Sequence, residues 1–195
     1  MANKSLAKSP TELTILVTGG AGFIGSHTCV ELLAKGFNVV IVDDLSNSSE
    51  VAVERVRKIA GVGADRCAFH EANVLDRDAM AIFSEHDIDA IIHFAGFKAV
   101  GESVQKPLEY YWNNIAGTLV LCDVARNHGV KNIVFSSSAT VYGEPEFVPI
   151  TEDCPKHSAT NPYGQTKTML EQVLTDLYVG DNEWNVVLLR YFNPI

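Results

Sequence analysis

Tyr163 and Lys167, in the segment NPYGQTK (161–167), stand four positions apart in what the pattern predicts to be the first turns of a helix. Residues four apart lie on one helix face, with Cβ atoms about 6 Å apart. An ammonium group this close favours the phenolate and lowers the pKa of a tyrosine from about 10 toward neutrality. The pair therefore suits proton transfer, although an amphipathic helix with a solvent-facing tyrosine and lysine would show the same spacing.

Gly19, Gly22 and Gly25 recur every three residues between a β-branched run and a segment of helical periodicity. Glycine lets such a turn tighten, and it lets a pyrophosphate approach the N–H groups at the positive end of the helix. Asp43 ends the next apolar run, 18 residues after Gly25, where a carboxylate can accept from both ribose hydroxyls of a dinucleotide. Because Asp43 and its neighbour Asp44 would repel a 2′-phosphate, the pattern predicts NAD rather than NADP.

Ser138 closes the apolar run NIVFSSS (132–138), shortly before the helix that carries Tyr163. Ligands of open α/β sheets lie beyond the carboxyl ends of the strands, where both residues would fall. A serine hydroxyl there can hydrogen-bond a substrate hydroxyl while the tyrosine abstracts its proton and a nicotinamide takes the hydride from the same carbon. We therefore expect Ser138, Tyr163 and Lys167 to be the catalytic residues.

Strand-like and helix-like segments that would position these residues alternate along the chain. Strands are predicted at 14–19, 38–43, 67–72, 90–96, 132–138 and 185–191. Helices are predicted at 21–36, 49–60, 76–86, 107–128 and 161–179. This alternation predicts an α/β fold with a doubly wound parallel sheet, the Rossmann fold. We expect one NAD-binding domain, residues 14–195, after a polar N-terminal extension, residues 1–13.

Composition limits the classes of partner. The 195 residues carry a formal net charge of −9 and no cluster of basic residues, so neither nucleic acid nor a membrane is an expected partner. The six histidines show no ligand spacing such as HExxH, so no metal site is expected. The polar start lacks the apolar region of a secretory signal, and the cysteines form no CxxC pair, which indicates reduced thiols in the cytoplasm. The four cysteines are Cys29, Cys67, Cys122 and Cys154.

Longer strings carry a resemblance to a known family. They are GGAGFIGSHTCVELL, HFAGFKAVGESVQKPLEYY, FSSSATVYG, NPYG and LLRYFNP. With the glycine triplet, the strand-end serine and YxxxK, they resemble the extended short-chain dehydrogenase/reductase family, and within it the UDP-sugar 4-epimerases, over about residues 13 to 195. The related 4,6-dehydratases carry an Asp-Glu pair where this chain has Ala139 and Thr140, so elimination of water is disfavoured.

The resemblance implies an isomerase of galactose metabolism that interconverts UDP-glucose and UDP-galactose through a 4-keto sugar. Tyr163 would remove the proton of the sugar 4-hydroxyl while NAD takes the hydride from C4 and later returns it to the other face. Two alternatives remain open: a truncated, non-catalytic NAD-binding module, and an epimerase of another nucleotide sugar.

Motif matching to the family also implies contacts to the cofactor and to the UDP-sugar. From the glycine loop to the third strand, the implied cofactor contacts are Gly19, Gly22, Phe23, Ile24, Gly25, Asp43, Asp44, Asn47, Ser48, Asn73 and Val74. Farther along the chain they are Phe94, Ala95, Gly96, Lys98, Asn113, Ser138, Tyr163, Lys167 and Phe192. The implied substrate contacts are Lys98, Ser138, Thr140, Tyr163, Tyr191 and Asn193.

Two features depart from the family pattern. An acid-hydrophobe pair usually follows the third strand and accepts from the adenine amine, whereas this chain has Asn73 and Val74, whose amide oxygen accepts without charge. The chain also ends at Pro194-Ile195, where the family continues into a smaller substrate-binding domain. The sequence thus predicts that these 195 residues hold NAD without measurable turnover of a UDP-sugar.

A homodimer is the assembly that the resemblance implies. The family pairs two helices of each subunit, which correspond here to residues 107–128 and 161–179. Their outward faces are predicted to carry four apolar side chains, more than a solvated helix needs. These residues are Leu119, Cys122, Met169 and Val173.

Overall fold

The computed structural model of the protein describes residues 8–156 and 159–194, so residues 1–7 of the predicted extension lie outside it. Within the described residues, six strands form one sheet in the order β3-β2-β1-β4-β5-β6, and every neighbouring pair is parallel. The strands are β1 Thr14–Thr18, β2 Asn38–Asp43, β3 Cys67–Glu71, β4 Ala90–His93, β5 Asn132–Ser138 and β6 Asn185–Tyr191. The order reverses between β1 and β4, which is where doubly wound sheets bind ligands. The predicted fold class is confirmed.

Helices connect the parallel strands, because parallel neighbours need a long crossover connection. They are α1 Phe23–Ala34, α2 Glu50–Ala60, α3 Ile82–Glu85, α4 Val100–Gln105, α5 Pro107–Tyr111, α6 Gly117–Asn127 and α7 Pro162–Gly180. A π-helix, Trp112–Ala116, joins α5 to α6, and short 3-10 helices lie at Ala79–Ala81 and Ala139–Tyr142. None of the helices in the described residues is long and apolar enough to cross a membrane.

Separate hydrophobic cores fill the two faces of the sheet. On one face Val17 and Ile41 pack with Cys29 of α1 and Val53 of α2. On the other face the core has contributions from α3, α6 and α7, including the fully buried Leu121 and Leu174. Since side chains alternate along a strand, the apolar runs of β1 and β2 supply both cores at once. The sheet is therefore held rigidly from both sides, and its carboxyl edge is a fixed platform.

The prediction of one regular helix over residues 107–128 is wrong. Pro107 does open α5, as expected of proline in a first helical turn. The π-helix then widens the following turn before α6 resumes the α-helical hydrogen bonds, and the preceding α4 was not predicted. The helix predicted at 76–86 is also shorter, because the carboxylate of Asp76 binds the N–H groups of Asp78 and Ala79 and holds this stretch in a turn.

One residue of the predicted dimer faces lies inside the protein. Cys122 is only 4% exposed and belongs to the core beneath α6, so its placement on the outward face is wrong. Leu119 and Met169 do reach the surface, at 46% and 41% exposure, and Val173 is half-buried. The outward apolar surface is therefore smaller on α6 than the sequence predicted.

Candidate active site

A cleft of about 570 Å³ runs along the carboxyl edge of the sheet, where the loops after all six strands meet. This volume lies within the range of small-molecule sites, roughly 300 to 1,000 Å³. Its floor is set by register, since β5 and β6 pair Ser138 directly with Tyr191. The strands thus end at one level, and the residues after them face a common space.

The cleft is lined by all of the sequence-predicted site residues except Ser48. Ser48 does not line the cleft, but its hydroxyl donates to the carboxylate of Asp43, a lining residue, at 2.7 Å. The lining also contains residues that sequence reasoning missed, because a small or apolar side chain gives no chemical signal in the sequence. These are Val42, Ser46, Ala72, Phe97, Val100, Ser136, Ser137, Ala139, Gly143 and Pro194.

The glycine loop leaves no room for side chains. Gly19 has φ +70°, and a Cβ there would lie 2.6 Å from the backbone nitrogen of Ala95. A Cβ on Gly25 would lie 2.2 Å from the carbonyl oxygen of Gly19. Within the described residues, no side chain caps the start of α1, where Gly22 is the N-cap residue. The first N–H groups of α1 therefore remain available for an anion such as a pyrophosphate.

Asp43 is buried at the end of β2 and serves the glycine loop as well as the cleft. One carboxylate oxygen accepts from the backbone N–H of Ala21, at 3.0 Å. The other accepts from the N–H of Leu45 and from Ser48. The carboxylate thus braces both loops that border the cleft, and its fixed position suits hydrogen bonds to ribose hydroxyls.

Asn73 occupies the position where the family that this chain resembles has an acid. Its side-chain amide donates to Asp44, at 2.8 Å, and its oxygen accepts from the N–H of Leu75, at 2.9 Å. The amide oxygen is therefore already engaged, which the sequence did not predict. A carboxylate at position 73 would repel Asp44 at this distance, so the amide and Asp44 form a compatible pair.

Ser138, Tyr163 and Lys167 meet where β5 ends and α7 begins. Asn161 caps α7 by accepting from the N–H of Gly164, at 2.8 Å, which fixes the first turn that carries Tyr163. Lys167 is 5% exposed and donates to the carbonyl of Ser136, at 2.7 Å. Its Nζ lies 5.9 Å from the centre of the Tyr163 ring. The predicted juxtaposition is therefore present.

Burial governs the proton affinities of this pair. It raises the pKa of Tyr163 above its ordinary value, while the Ser138 hydroxyl acts in the opposite direction. It also lowers the pKa of Lys167 from 10.5 to about 8, because the ammonium is out of water. The lowering of the Tyr163 pKa that the sequence predicted is thus wrong for this structure, since desolvation of the phenolate outweighs the hydrogen bond with Ser138.

The π-helix contributes a second polar residue that sequence reasoning missed. Asn114, 3% exposed, accepts from the backbone N–H of Phe97 and donates to its carbonyl, at 2.8 and 2.9 Å. It also donates to the hydroxyl of Thr166 on α7, at 3.1 Å. Asn114 therefore ties the loop after β4 to the helix of Tyr163, while the predicted Asn113 lines the cleft beside it. π-Helical turns of this kind are frequent at functional sites.

A buried ion cluster joins the ends of β5 and β6 to α7. Glu171 is fully buried and accepts from Arg190 at both oxygens, at 2.9 Å each. The hydroxyl of Ser137 donates to the same carboxylate at 2.6 Å, and Lys156 does so at 3.2 Å. These bonds lower the pKa of Glu171 although burial alone would raise it. Because Ser137 precedes Ser138 and Arg190 precedes Tyr191, the cluster fixes the cleft wall.

Comparison with known proteins identifies the family. The sequence profile of the NAD dependent epimerase/dehydratase family matches residues 15–195. The chain belongs to this family. Within the NAD dependent epimerase/dehydratase family, the UDP-glucose 4-epimerase of Bacillus subtilis (strain 168) is 62% identical over 183 residues, which cover 93% of this chain and 53% of that protein.

Solved structures of the same family superimpose closely. The UDP-glucose 4-epimerase from Bifidobacterium longum, in complex with NAD+ and UDP, gives a TM-score of 0.91 at 55% identity over 93% of this chain and 54% of that chain. The enzyme from Stenotrophomonas maltophila, with bound NAD and formylated UDP-arabinopyranose, gives 0.89 at 47% identity over 94% and 54%. The chain thus spans about half the length of the relatives that it matches.

Proposed function

We propose that this chain provides the NAD site and the catalytic groups of a UDP-sugar 4-epimerase that interconverts UDP-glucose and UDP-galactose. The observation that carries the proposal is the convergence of Ser138, Tyr163 and Lys167 with the glycine loop in one cleft. A protein that only bound a dinucleotide would not need a phenol beside a buried lysine. The high identity to UDP-glucose 4-epimerases supports the same function.

The residues of the cleft fit NAD. The crowded glycine loop and the uncapped start of α1 would receive the pyrophosphate. Asp43 would accept from the adenosine ribose, and Asp44 beside it adds negative charge that a 2′-phosphate would meet. NAD is also the cofactor bound in the Bifidobacterium longum and Stenotrophomonas maltophila enzymes.

The proposed mechanism moves one proton and one hydride. Bound NAD supplies the acceptor and later the donor of the hydride at the sugar C4. Ser138 holds the 4-hydroxyl by hydrogen bonding, and Tyr163 accepts its proton as the general base. Lys167 holds its Nζ 5.9 Å from the centre of the Tyr163 ring, where its positive charge would stabilise the phenolate. The same phenol returns its proton when the 4-keto sugar is reduced on the other face.

Residues at the outer rim of the cleft would hold the UDP-sugar. Lys98 and Asn193 are exposed there, Tyr191 and Thr140 are half-buried, and Phe192 presents an apolar ring that is 59% exposed. Ala139 and Thr140 offer no carboxyl group for elimination of water. The rim therefore favours epimerisation over dehydration.

Another nucleotide sugar is the second candidate substrate. The Campylobacter jejuni relative, 38% identical with a TM-score of 0.85, is a UDP-Glc/GlcNAc 4-epimerase. The Stenotrophomonas maltophila structure holds a formylated UDP-arabinopyranose. Relatives with the same fold thus accept different rings, so the assay below compares UDP-galactose with UDP-N-acetylgalactosamine and a UDP-pentose.

We also propose a cytoplasmic homodimer. All four cysteines are free and buried, which agrees with a reducing compartment. The dimer would form through the outward faces of α5, the π-helix and α7, where Leu108 and Trp112 are 79% and 69% exposed.

The function is tested by NAD binding to the purified chain and by turnover in a longer protein. That protein joins this chain to the substrate-binding domain that the resemblance implies, because the chain alone is predicted to hold NAD without measurable turnover. Calorimetry measures NAD affinity, and a coupled assay measures UDP-glucose formed from UDP-galactose. NAD binding with turnover that depends on Tyr163 would support the epimerase. NAD binding without turnover of any of the three UDP-sugars would favour the non-catalytic module, and absence of NAD binding would contradict the proposal altogether.

A further inference from the structure

A second cluster of metal-ligating side chains lies outside the cleft. His70 of β3 and His86, which directly follows α3, place their Nε2 atoms 2.8 Å apart. The rings meet edge to face, with centroids 5.1 Å apart and an interplanar angle of 79°. A carboxylate oxygen of Glu85 completes the group, and one ligand atom from each residue lies within 4.8 Å of the others.

The fold creates this cluster from residues that are distant in sequence. His70 pairs in register with Val42, two residues beyond Ala68, so it points to the sheet face that α3 covers. Ile82 and Phe83 anchor α3 in the core of that face, which sets the position of its last residues. Both imidazole rings are half-buried and Glu85 is exposed, so an ion can reach the group from solvent.

The arrangement matches the needs of a tetrahedral metal ion. Zn–N bonds of about 2.0–2.1 Å place two ligand nitrogens roughly 3.3 Å apart, so the two rings need to separate by only about half an ångström. In the structure one Nε2–H donates to the lone pair of the other Nε2. On metal binding the donor ring would carry its proton on Nδ1 instead, which frees both Nε2 lone pairs without net proton release.

We propose that His70, Glu85 and His86 form a binding site for one divalent late transition-metal ion, Zn²⁺ being the best match, with water as the fourth ligand. Imidazole nitrogens with one carboxylate suit this class of ion better than Mg²⁺ or Ca²⁺, which prefer oxygen ligands throughout. The ion would tie the edge strand β3 to the end of α3 and stabilise the folded chain. None of the three residues lines the cleft, so this site is independent of the proposed function.

Isothermal titration with ZnCl₂ tests the site, using the chain without a histidine tag in buffer free of chelators. We expect one Zn²⁺ per chain and a midpoint of thermal unfolding that rises with the Zn²⁺ concentration. The four cysteine thiols are buried in the folded chain and do not compete. His70→Gln and His86→Gln should each weaken binding at least about tenfold, and Glu85→Gln should weaken it less. The control His27→Gln alters an exposed histidine of α1 and should leave binding unchanged.

X-ray absorption at the zinc edge on the unmodified chain keeps the test decisive if a variant fails to fold. Two imidazoles in the zinc coordination shell would support the site. A shell of oxygen atoms alone, no binding at all, or equal affinity in His70→Gln and the unmodified chain would overturn it. MgCl₂ in place of ZnCl₂ should give no shift of the unfolding midpoint, and an equal shift would also overturn the proposed metal class.

Discussion

Tyr163 and Lys167 owe their shifted pKa values to burial, which acts in opposite directions on an acid and a cation. The phenol holds its proton more firmly than usual, and the ammonium loses its proton more readily. The geometry between them is fixed by the cap of α7 and by the carbonyl of Ser136. Proton transfer at this site therefore depends on the fixed position of Tyr163 relative to Lys167.

Tyr163→Phe removes the proposed general base while keeping the ring. In the full-length form of the enzyme we expect epimerase turnover to fall by about 10² to 10⁴, the usual range for loss of a general base, with NAD affinity nearly unchanged. The coupled UDP-galactose assay and calorimetry measure the two effects. Tyr178→Phe, at a 52% exposed position of the same helix, is the control and should keep full turnover. Comparable rates in both variants would show that another group takes the proton.

Lys167 makes stability depend on pH in the alkaline range. The pKa of Lys167 is about 8 in the folded chain, whereas the pKa of an ordinary lysine is 10.5. The folded chain therefore loses this proton at a lower pH than the unfolded chain does. Between these values the unfolded chain binds more protons, so the free energy of unfolding rises with pH. Against Lys167→Met, which cannot titrate, the intact chain should gain up to about 3 kcal/mol across the window. Urea unfolding at a series of pH values measures the difference, and a constant difference would contradict the depressed pKa.

Asp43 should decide between the two dinucleotides. Its carboxylate would meet the 2′-phosphate of NADP, so we expect NAD to bind at least about tenfold more tightly. Asp43→Asn should narrow that ratio while weakening the brace on the Ala21 N–H. Calorimetry with both cofactors measures the ratio, and Asp65→Asn, an exposed change elsewhere, should leave it intact. Equal affinities for NAD and NADP in the unmodified chain would remove this role from Asp43.

The π-helix is the element that brings the loop after β4 into place. Asn114→Ala leaves the N–H and carbonyl of Phe97 without their buried partner, so we expect a loss of about 2 to 3 kcal/mol in the free energy of unfolding. NAD affinity should fall as well, because this loop lines the cleft. Asn127→Ala at the exposed end of α6 is the control. Urea unfolding and calorimetry compare the Asn114→Ala and Asn127→Ala variants. Equal stabilities would show that the loop after β4 keeps its conformation without Asn114.

Regular elements were predictable from sequence where a single local rule governs them. The bounds of β2, β5 and β6 agree with the predicted segments, because apolar β-branched runs end at polar or glycine-rich stretches. That Ser138 and Tyr163 lie at one edge of the sheet was predictable because parallel strands end there, whereas contacts such as Lys98 came from the family resemblance. The π-helix was not predictable, since its wider turn is set by the tertiary hydrogen bonds of Asn114. The raised pKa of Tyr163 was not predictable either, because desolvation depends on packing that the YxxxK motif does not encode.

At the scale of the whole molecule, the exposed apolar residues of α5, the π-helix and α7 predict a homodimer. Leu108, Trp112 and Met169 are 79%, 69% and 41% exposed on packed helices of one sheet face. Sedimentation at tens of micromolar should give twice the monomer mass, and Leu108→Glu should shift the equilibrium toward monomer. Ile59→Glu, a 70% exposed change on the opposite face, should leave the dimer intact. A monomeric mass for the unmodified chain would refute this interface.

The wide turn at Trp112–Ala116 has a consequence for how this helix can vary. A π turn contains one residue more than an α turn, so it behaves as a single-residue insertion held within a helix. Deleting that residue would restore uniform hydrogen bonding, yet it would rotate the two flanking segments by about 100° relative to each other. Asn113 and Asn114 would then turn away from the loop after β4. Compared with the unmodified chain, the shortened variant should therefore have a more regular helix but bind NAD more weakly. Helix regularity and NAD affinity thus oppose each other at this one position.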